Sequence, residues 1–186
     1  MRVISGTARG TKLESIDDIN TRPTLDRVKE SLFNIIQNRI DGSMVLDLFA
    51  GSGAIGIEFI SRGCQKVYFC DKSKQAVKMI EKNLTRTKFL DKSEIFNEDY
   101  THVLTKLSNK NIKFDFVYID PPYKNNLAAD SIAKILTLDL LKKDGSIIVE
   151  TDEKERDLKE IEKLQVEVYD LRKYGRANLI FLNRKE

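Results

Sequence analysis

Residues 45–56 have the sequence VLDLFAGSGAIG, and this stretch decides the fold. Its first half is a short apolar run with the character of a buried strand, and an Asp41-Gly42 turn signal precedes it. Its second half, Gly51 to Gly56, has the spacing G-x-G-x-x-G, and residues 54–62 have a helical pattern. Glycine permits the unusual backbone dihedral angles of a tight turn and a close approach of a ligand to the backbone. A strand, a glycine loop and a helix in this order therefore predict a site for a nucleotide-type cofactor, whereas a tight turn without a ligand is the alternative.

Two acidic residues near this loop bear on the identity of the cofactor. The next predicted strand, residues 67–71, ends at Asp71, whose carboxylate suits the two hydroxyl groups of a ribose. NAD, FAD and S-adenosylmethionine (SAM) proteins share this design, so the loop alone leaves the cofactor open. Asp47, directly before the loop, favours SAM, because its carboxylate would attract the amino group of a methionyl moiety and repel a pyrophosphate.

Composition and length describe one ordinary globular domain. The chain has 186 residues and a net charge of +3, which permits nucleic acid as a partner without requiring it. Cys64 and Cys70 lie in or beside a predicted buried strand, which favours small core residues over a disulfide or a metal pair. With a single histidine, His102, we expect neither a metal site nor a Ser-His-Asp triad. No apolar run reaches membrane-spanning length and no signal peptide is visible, so we expect a cytoplasmic protein, and a monomer.

Helical and strand patterns alternate along the chain, which predicts an α/β fold with a largely parallel sheet and helices on both faces. The last two strands flank Tyr174-Gly175-Arg176 as a hairpin, so one strand must be antiparallel. Ser73 and Thr24 are predicted helix caps. The further predicted strands are residues 94–97, 114–119, 146–150 (after an Asp144-Gly145 turn), 166–173 and 177–183, and the further predicted helices are residues 24–40, 73–88, 128–136 and 153–164.

The first residues of the chain are basic. Arg2, Arg9 and Lys12 stand in a segment without acids, and two short runs flank residues 6–10, which predicts a hairpin with a basic tip. We expect this hairpin to lie beside the catalytic edge of the sheet, where it and Arg22 would contact RNA phosphates; a solvated charged surface is the alternative. The sequence thus predicts a single domain over residues 1–186, with an extension at 1–23 and a catalytic core at 24–186.

The strongest chemical signal is Asp120-Pro121-Pro122-Tyr123, which directly follows an apolar strand. Strand ends of this kind face the ligand crevice. The pattern suits methylation of an amino group conjugated to a heterocycle, whose lone pair is delocalised into the ring. Acceptors for both N–H bonds, the Asp120 carboxylate and the Pro121 carbonyl, would favour the pyramidal geometry in which that lone pair attacks. The two prolines stiffen the turn, Tyr123 offers a face on which a base stacks, and positioning supplies most of the acceleration.

Asp99 and Tyr100 complete the predicted cofactor site. Asp99, after the strand at residues 94–97, would accept a hydrogen bond from the adenine amino group, or else is a solvated loop acid. Tyr100 would flank the adenine or cover the core, and the sequence leaves both open. His102 is expected to be a surface or half-buried helix residue, because this reaction needs no strong base. The predicted SAM-binding residues are Asp47, Phe49, Ala50, Gly51, Ser52, Gly53, Asp71, Lys72, Asp99 and Tyr100.

On these residues the chain resembles the RsmD family, the guanine-N2 methyltransferases of bacterial 16S ribosomal RNA. The glycine loop and the Asp120–Tyr123 turn are shared by many amino methyltransferases and indicate only the class, whereas the Arg22-Pro23-Thr24 segment points to this family. The resemblance covers nearly the whole length, and its further segments are residues 2–6, 10–13, 26–30, 32–34 and 174–175.

The resemblance implies a Rossmann-like SAM-dependent methyltransferase fold with a seven-stranded, mostly parallel sheet and one antiparallel strand. It also implies an N-terminal hairpin for RNA and one target guanine in the 16S rRNA of the small ribosomal subunit. Asp71 stands where relatives commonly have glutamate, Tyr100 where a small residue is common, and residues 124–127 lack a glycine often found there. The alternatives are a DNA or RNA adenine-N6 methyltransferase and a non-catalytic RNA-binding module on the same fold. An NAD-linked dehydrogenase comes third, since the chain lacks a substrate domain.

Overall fold

The computed structural model describes residues 1–15, 23–122 and 126–185. The strands are β1 (Met44–Asp47), β2 (Lys66–Cys70), β3 (Ser93–Phe96), β4 (Phe114–Ile119), β5 (Leu141–Thr151), β6 (Val166–Tyr174) and β7 (Ala177–Arg184). The helices are α1 (Pro23–Ile36), α2 (Ala54–Ser61), α3 (Lys74–Thr87), α4 (Tyr100–Asn109), α5 (Leu127–Thr137) and α6 (Lys154–Ile161), with short 3-10 turns at Gln37–Arg39 and Leu90–Lys92. No helix in these ranges has both the length and the apolar character needed to cross a bilayer.

The strands form one sheet in the order β3-β2-β1-β4-β5-β7-β6. All neighbouring pairs from β3 to β5 are parallel, and β7 runs antiparallel to both β5 and β6. The predicted parallel sheet with one antiparallel strand is therefore confirmed. β1 pairs with β2 on one side and with β4 on the other, so the chain reverses its winding direction there. Ligands of open α/β sheets bind at such a switch point, outside the carboxyl ends of the strands.

Successive side chains of a strand point to opposite faces of the sheet, and each face is covered by its own hydrophobic core. Phe116 and Tyr118 of β4 pack in the core beneath α1, α2 and α3, whereas Val117 and Ile119 pack in the core beneath α4, α5 and α6. Because side chains alternate along a strand, the residue after Ile119 is directed towards the α1–α3 layer. This periodicity places Asp120 on the same face as Tyr118.

Several predicted boundaries were wrong; the helix predicted at residues 153–164, for example, ends at Ile161. β5 begins at Leu141 and runs through the predicted Asp144-Gly145 turn, because its pairing with β4 shifts between Phe114↔Leu141 and Phe116↔Ser146. The extra residues bulge, and glycine fits there because a Cβ at Gly145 would lie 2.9 Å from the Phe114 carbonyl oxygen. β3 ends at Phe96, and Asp99 instead caps α4 by accepting a hydrogen bond from the Thr101 N–H.

The predicted N-terminal hairpin is present as a short antiparallel pair around an Arg2↔Lys12 bridge. Its Val3 and Leu13 side chains are buried in the α1–α3 core. Its backbone is fixed to α2, since Ile4 and Ser5 donate N–H bonds to Glu58 at 2.9 and 3.0 Å. The hairpin is thus built into one helical layer. The division into an extension at residues 1–23 and a core at 24–186 remains a prediction.

Candidate active site

The glycine loop joins β1 to α2 at the switch point. Gly51 and Gly53 have φ angles of +56° and +78°, in the left-handed region that favours glycine, and the Gly53 N–H donates to the Ala50 carbonyl at 2.7 Å. A Cβ at Gly51 would meet nothing within 4 Å, so the backbone there is open to a ligand. A Cβ at Gly56 would lie 2.2 Å from the Phe69 ring, so this third glycine serves the packing of α2 on β2.

Hydrogen bonds from backbone N–H groups, one of them in the glycine loop, orient the Asp71 carboxylate. Its Oδ2 accepts from the Gly51 N–H at 2.9 Å, and its Oδ1 accepts from the Ser73 N–H at 2.8 Å. Ser73 in turn caps α3, as predicted, because its Oγ accepts from the Ala76 N–H. A carboxylate has about four lone-pair sites, so both oxygens of Asp71 keep capacity for ribose hydroxyl groups.

Among the described residues, hydrogen bonds reach only one of the two carboxylate oxygens of Asp99. Its Oδ1 accepts from the Thr101 hydroxyl at 2.7 Å and from the Thr101 N–H at 3.0 Å. These bonds hold the pKa of Asp99 below its usual value. The Asp99 carboxylate is therefore a charged acceptor at the rim of the site, with Oδ2 available to a ligand donor.

A cavity of about 460 Å³ collects most of the predicted cofactor residues. The rings of Phe49 and Tyr100 form one of its walls, with centroids 5.4 Å apart and planes inclined by 50°. Tyr100 is half-buried, packs against the α4–α6 core and lines this cavity. It therefore covers the core, and a contact with the adenine stays a prediction. The predicted site residues that line the cavity are Phe49, Gly51, Asp71, Lys72, Asp99, Tyr100, Asp120, Pro121 and Pro122.

A second cavity of about 180 Å³ lies on the other side of the loop. Asp47 is 1 % exposed there, and its Oδ2 accepts from the Gly56 N–H at 3.1 Å. Burial, with a contribution from the negative charge of Asp71, raises the pKa of Asp47 to about 7. The predicted site residues that line this cavity are Asp47, Phe49, Ala50, Gly51, Ser52 and Asp120, and Gly53 is buried at the start of α2 without lining either cavity.

Asp120 stands at the wall that the two cavities share. Asp120 is exposed to solvent at the cavity mouth. Desolvation by the many atoms around its carboxyl group raises the pKa of that group well above the usual value, and the negative charges of Glu150, Asp47 and Asp152 raise it further. Pro121 and Pro122 follow it into the larger cavity. Tyr123 and Arg22, predicted for base stacking and RNA contact, lie outside the described residues, as do residues 124 and 125.

The sequence did not reveal the second acid beside Asp120. The β4–β5 register pairs Ile119 with Val149, so Glu150 follows at the same level as Asp120. The buried Tyr118 hydroxyl donates to Glu150 Oε2. One signal was available, because Glu150 is the last residue of a predicted strand, as Asp71 is of another. The sequence does not show that β4 and β5 are paired, so it could not place Glu150 beside Asp120. Met1 and Lys29, which also line the smaller cavity, carried no such signal.

The basic hairpin is exposed, but its tip does not lie beside the catalytic edge. Arg9 belongs to the tip, where Thr7 and Ala8 donate N–H bonds to Ser61 at the last residue of α2. The glycine loop is at the other end of this helix, about 12 Å away along its axis. The ends of the hairpin are closer to the site, since Met1 lines the smaller cavity. The predicted position is therefore corrected for Arg9, and for Arg2 and Lys12 it stays a prediction.

Comparisons with known proteins agree with this architecture. The family model described as "Conserved hypothetical protein 95" matches residues 1–183. The chain is 39 % identical to ribosomal RNA small subunit methyltransferase D of Haemophilus influenzae over 82 % of the chain and 79 % of that protein. The same-named Escherichia coli protein is 32 % identical over 82 % of the chain and 75 % of its own length. A solved structure described as "Putative methyltransferase yhhF from Escherichia coli" superposes with a TM-score of 0.82 and 24 % identity, covering 100 % of this chain and 98 % of that one.

Proposed function

The chain belongs to the ribosomal RNA small subunit methyltransferase D (RsmD) family, and we propose that it transfers the methyl group of SAM to the N2 amino group of a guanine in 16S ribosomal RNA. The observation that carries this proposal is the position of Asp120. It lines both the cavity that contains Asp71 and Asp99 and the cavity that contains Asp47. A methyl donor bound along the glycine loop and an amino group held by Asp120 would therefore meet at this carboxylate.

The polar groups of the two cavities suit the parts of SAM. In the larger cavity, Asp71 would bind the ribose hydroxyls and Asp99 would accept from the adenine amino group, while the Phe49 and Tyr100 rings give an apolar wall. Asp47 would face the cationic methionyl amino group, which also favours the ionised form of this buried carboxyl. The bound cofactor supplies an electrophilic methyl group on a positively charged sulfur.

The protein's part in the reaction is mainly positioning. The Asp120 carboxylate and the Pro121 carbonyl would accept the two N–H bonds of the guanine amino group and direct its lone pair at the methyl carbon. The Asp120 carboxylate would stabilise the positive charge that the amino nitrogen gains when it is methylated. The surplus proton then leaves through Asp120 to water. His102 is exposed on α4 and takes no part in this scheme.

The rRNA would approach the carboxyl edge of the sheet. The exposed Arg2, Arg9 and Lys12 side chains would contact its phosphates along the hairpin, and Arg22 and Tyr123 would add a phosphate contact and a stacking surface. A target guanine in a loop would be presented at little unstacking cost. We further propose that the protein acts as a single-domain monomer in the cytoplasm, where ribosomal subunits are assembled.

The test is methyl transfer from labelled SAM to three acceptors side by side. These are small ribosomal subunits that lack the modification, naked 16S rRNA and duplex DNA, and digestion of the product identifies the base. Label in N2-methylguanine from either RNA acceptor supports the proposal, and the better acceptor shows whether ribosomal protein context is recognised. Label in N6-methyladenine, or in DNA alone, would overturn the substrate assignment. SAM binding without transfer to any acceptor would mean that the substrate class is wrong, whereas a SAM titration that shows no binding would favour the non-catalytic alternative.

A further inference from the structure

Two acids lie near the carboxyl ends of neighbouring parallel strands at the smaller cavity: Asp120 directly follows β4, and Glu150 is the last residue but one of β5. The register Ile119↔Val149 places Asp120 and Glu150 one residue beyond a paired position, on strands that are about 4.8 Å apart. Tyr118 and Ile148, two residues earlier on each strand, pack in the α1–α3 core. Since side chains alternate along a strand, both acids are directed to that same face, and both line the cavity.

One hydrogen bond holds the Glu150 side chain, and no cation of the described residues pairs with it. Its Oε2 accepts from the buried Tyr118 hydroxyl, and within the described residues no donor is bonded to its Oε1. Burial raises the pKa of Glu150 above its usual value, and the charge of Glu150 raises the pKa of Asp120 in turn. The carboxylate pair thus lacks hydrogen-bond donors on its cavity side.

The nearby cation does not supply those donors. Lys29 lines the same cavity, but its ammonium group donates to the Arg2 carbonyl oxygen at 2.6 Å and pairs with Glu58 at 3.3 Å. Among the described residues, no set of three acidic, histidine or cysteine side chains is spaced to hold a metal ion. A ligand that carries adjacent N–H donors would therefore fit the two acids.

We propose that Glu150 accepts the N1–H of the target guanine while Asp120 accepts from its N2 amino group, so that Glu150 makes the site specific for guanine. This inference rests on the proposed function. The Watson–Crick edge of guanine presents N1–H and N2–H side by side, which matches two neighbouring acceptors. Adenine presents one amino donor next to the N1 lone pair, and a second carboxylate would repel that lone pair. Glu150 is thus a specificity-determining residue, and Tyr118 positions it.

The inference is tested with rRNA substrates that differ only at the target base. One carries guanine, and the other carries 2-aminopurine, which keeps the amino group at C2 but has a lone pair in place of N1–H and lacks O6, so the change of ratio in the Glu150 variant is the diagnostic result. We expect the wild-type kcat/KM to be about tenfold to a hundredfold higher for guanine. In Glu150→Gln, the amide has an NH2 group that can donate to N1 of 2-aminopurine, so the preference should fall to about unity or reverse.

Matched variants separate recognition from a structural role. Glu153→Gln changes an exposed acid that lines neither cavity, and it should keep the wild-type preference. Tyr118→Phe removes the hydroxyl that holds Glu150, and it should give an intermediate preference. An equal wild-type rate on both bases, or an unchanged ratio in Glu150→Gln, would overturn the inference. If Glu150→Gln does not fold, the inference is judged by the guanine-to-2-aminopurine ratio of kcat/KM in the wild type and by its decrease in Tyr118→Phe. A wild-type protein that binds SAM but does not methylate the guanine substrate would instead refute the proposed function itself.

Discussion

Asp120 is the residue at which the proposed cofactor and base sites meet, so its removal should separate binding from chemistry. We expect Asp120→Ala to retain SAM affinity, because the cofactor contacts assigned to Asp71, Asp99 and Asp47 remain. Methyl transfer should fall by about a hundredfold or more, since the amino group loses a positioned acceptor. Isothermal titration with SAM and single-turnover transfer assays measure the two effects, with Asp91→Asn, an exposed acid outside both cavities, as the control. Near-normal turnover at unchanged SAM affinity would contradict the assigned role.

Asp47 connects the chemistry of the site to the stability of the ligand-free protein. Its pKa is about 7 in the folded protein, against an ordinary value of 3.8, so the folded state binds the proton more tightly than the unfolded state. This carboxyl group therefore lowers the free energy of unfolding as the pH rises from about 4 to about 7, and its full cost above pH 7 is on the order of 4 kcal/mol. Asp47→Asn abolishes this titration and keeps an acceptor for the Gly56 N–H.

We expect ligand-free Asp47→Asn to gain stability relative to the wild type as the pH rises through this range, with the gain complete above pH 7. Urea denaturation of both proteins at several pH values measures the difference. The raised pKa of Glu150 is common to both proteins, whereas the loss of the Asp47 charge also removes one cause of the raised pKa of Asp120. SAM should bind the variant more weakly, since the partner of its amino group has lost its charge. A stability difference that is independent of pH would show that Asp47 is not the titrating group.

At the scale of elements, Glu58 of α2 connects the hairpin, α1 and α2. It is fully buried and accepts from the Ile4 and Ser5 N–H groups, while Lys29 and Arg62 pair with it at 3.3 and 2.9 Å. Burial lowers the pKa of Lys29, so the ammonium group depends on the Glu58 charge. We expect Glu58→Gln to lower the free energy of unfolding by about 3–5 kcal/mol, because it leaves buried donors and a buried cation without their partner.

The matched control is Glu160→Gln, which removes the acid of an i,i+3 ion pair with Lys163 on the surface of α6. This change should cost less than about 1 kcal/mol. Denaturant midpoints of the two variants provide the comparison. Equal midpoints would mean that the Glu58 cluster contributes no more than an ordinary surface pair.

The sequence predicts elements well where local chemistry decides them. The cap at Ser73 and the turn at Gly175 depend on neighbouring residues, so they could be predicted from a short window. The path of β5 through Gly145 could not, because the bulge there is set by its pairing with β4. Glu150 was missed for the same reason. Its place beside Asp120 follows from strand register between segments thirty residues apart, and no local pattern carries that information.

At the scale of the whole molecule, the strand order brings the acids together. β1 and β4 are neighbours although two strands and three helices separate them in sequence, and their carboxyl ends carry Asp47 and Asp120. The N-terminal hairpin is fixed on α2 and continues the protein surface away from the carboxyl edge of the sheet. The acids therefore lie inside the cavities, whereas Arg2, Arg9 and Lys12 are exposed and form no ion pair with the described part of the chain. An anionic polymer would be attracted to the hairpin and excluded from the acidic interior except where a neutral base enters.

This charge arrangement predicts how rRNA binding depends on salt. The double variant Arg2→Ala/Lys12→Ala should weaken rRNA binding and make the slope of log K against log salt concentration shallower by about 1.5, because two phosphate contacts release fewer counterions. SAM affinity should not change, since neither side chain lines a cavity. Arg9→Ala alone should reduce the slope by about half as much, because the RNA in our proposal follows the hairpin to its tip. The control, Lys134→Ala/Lys159→Ala, removes two exposed charges from the opposite helical layer. The slopes are obtained from rRNA binding measured between 50 and 300 mM salt. If the slope became equally shallow in this control and in the Arg2/Lys12 variant, general positive charge would account for the attraction, and the proposed interface would be refuted.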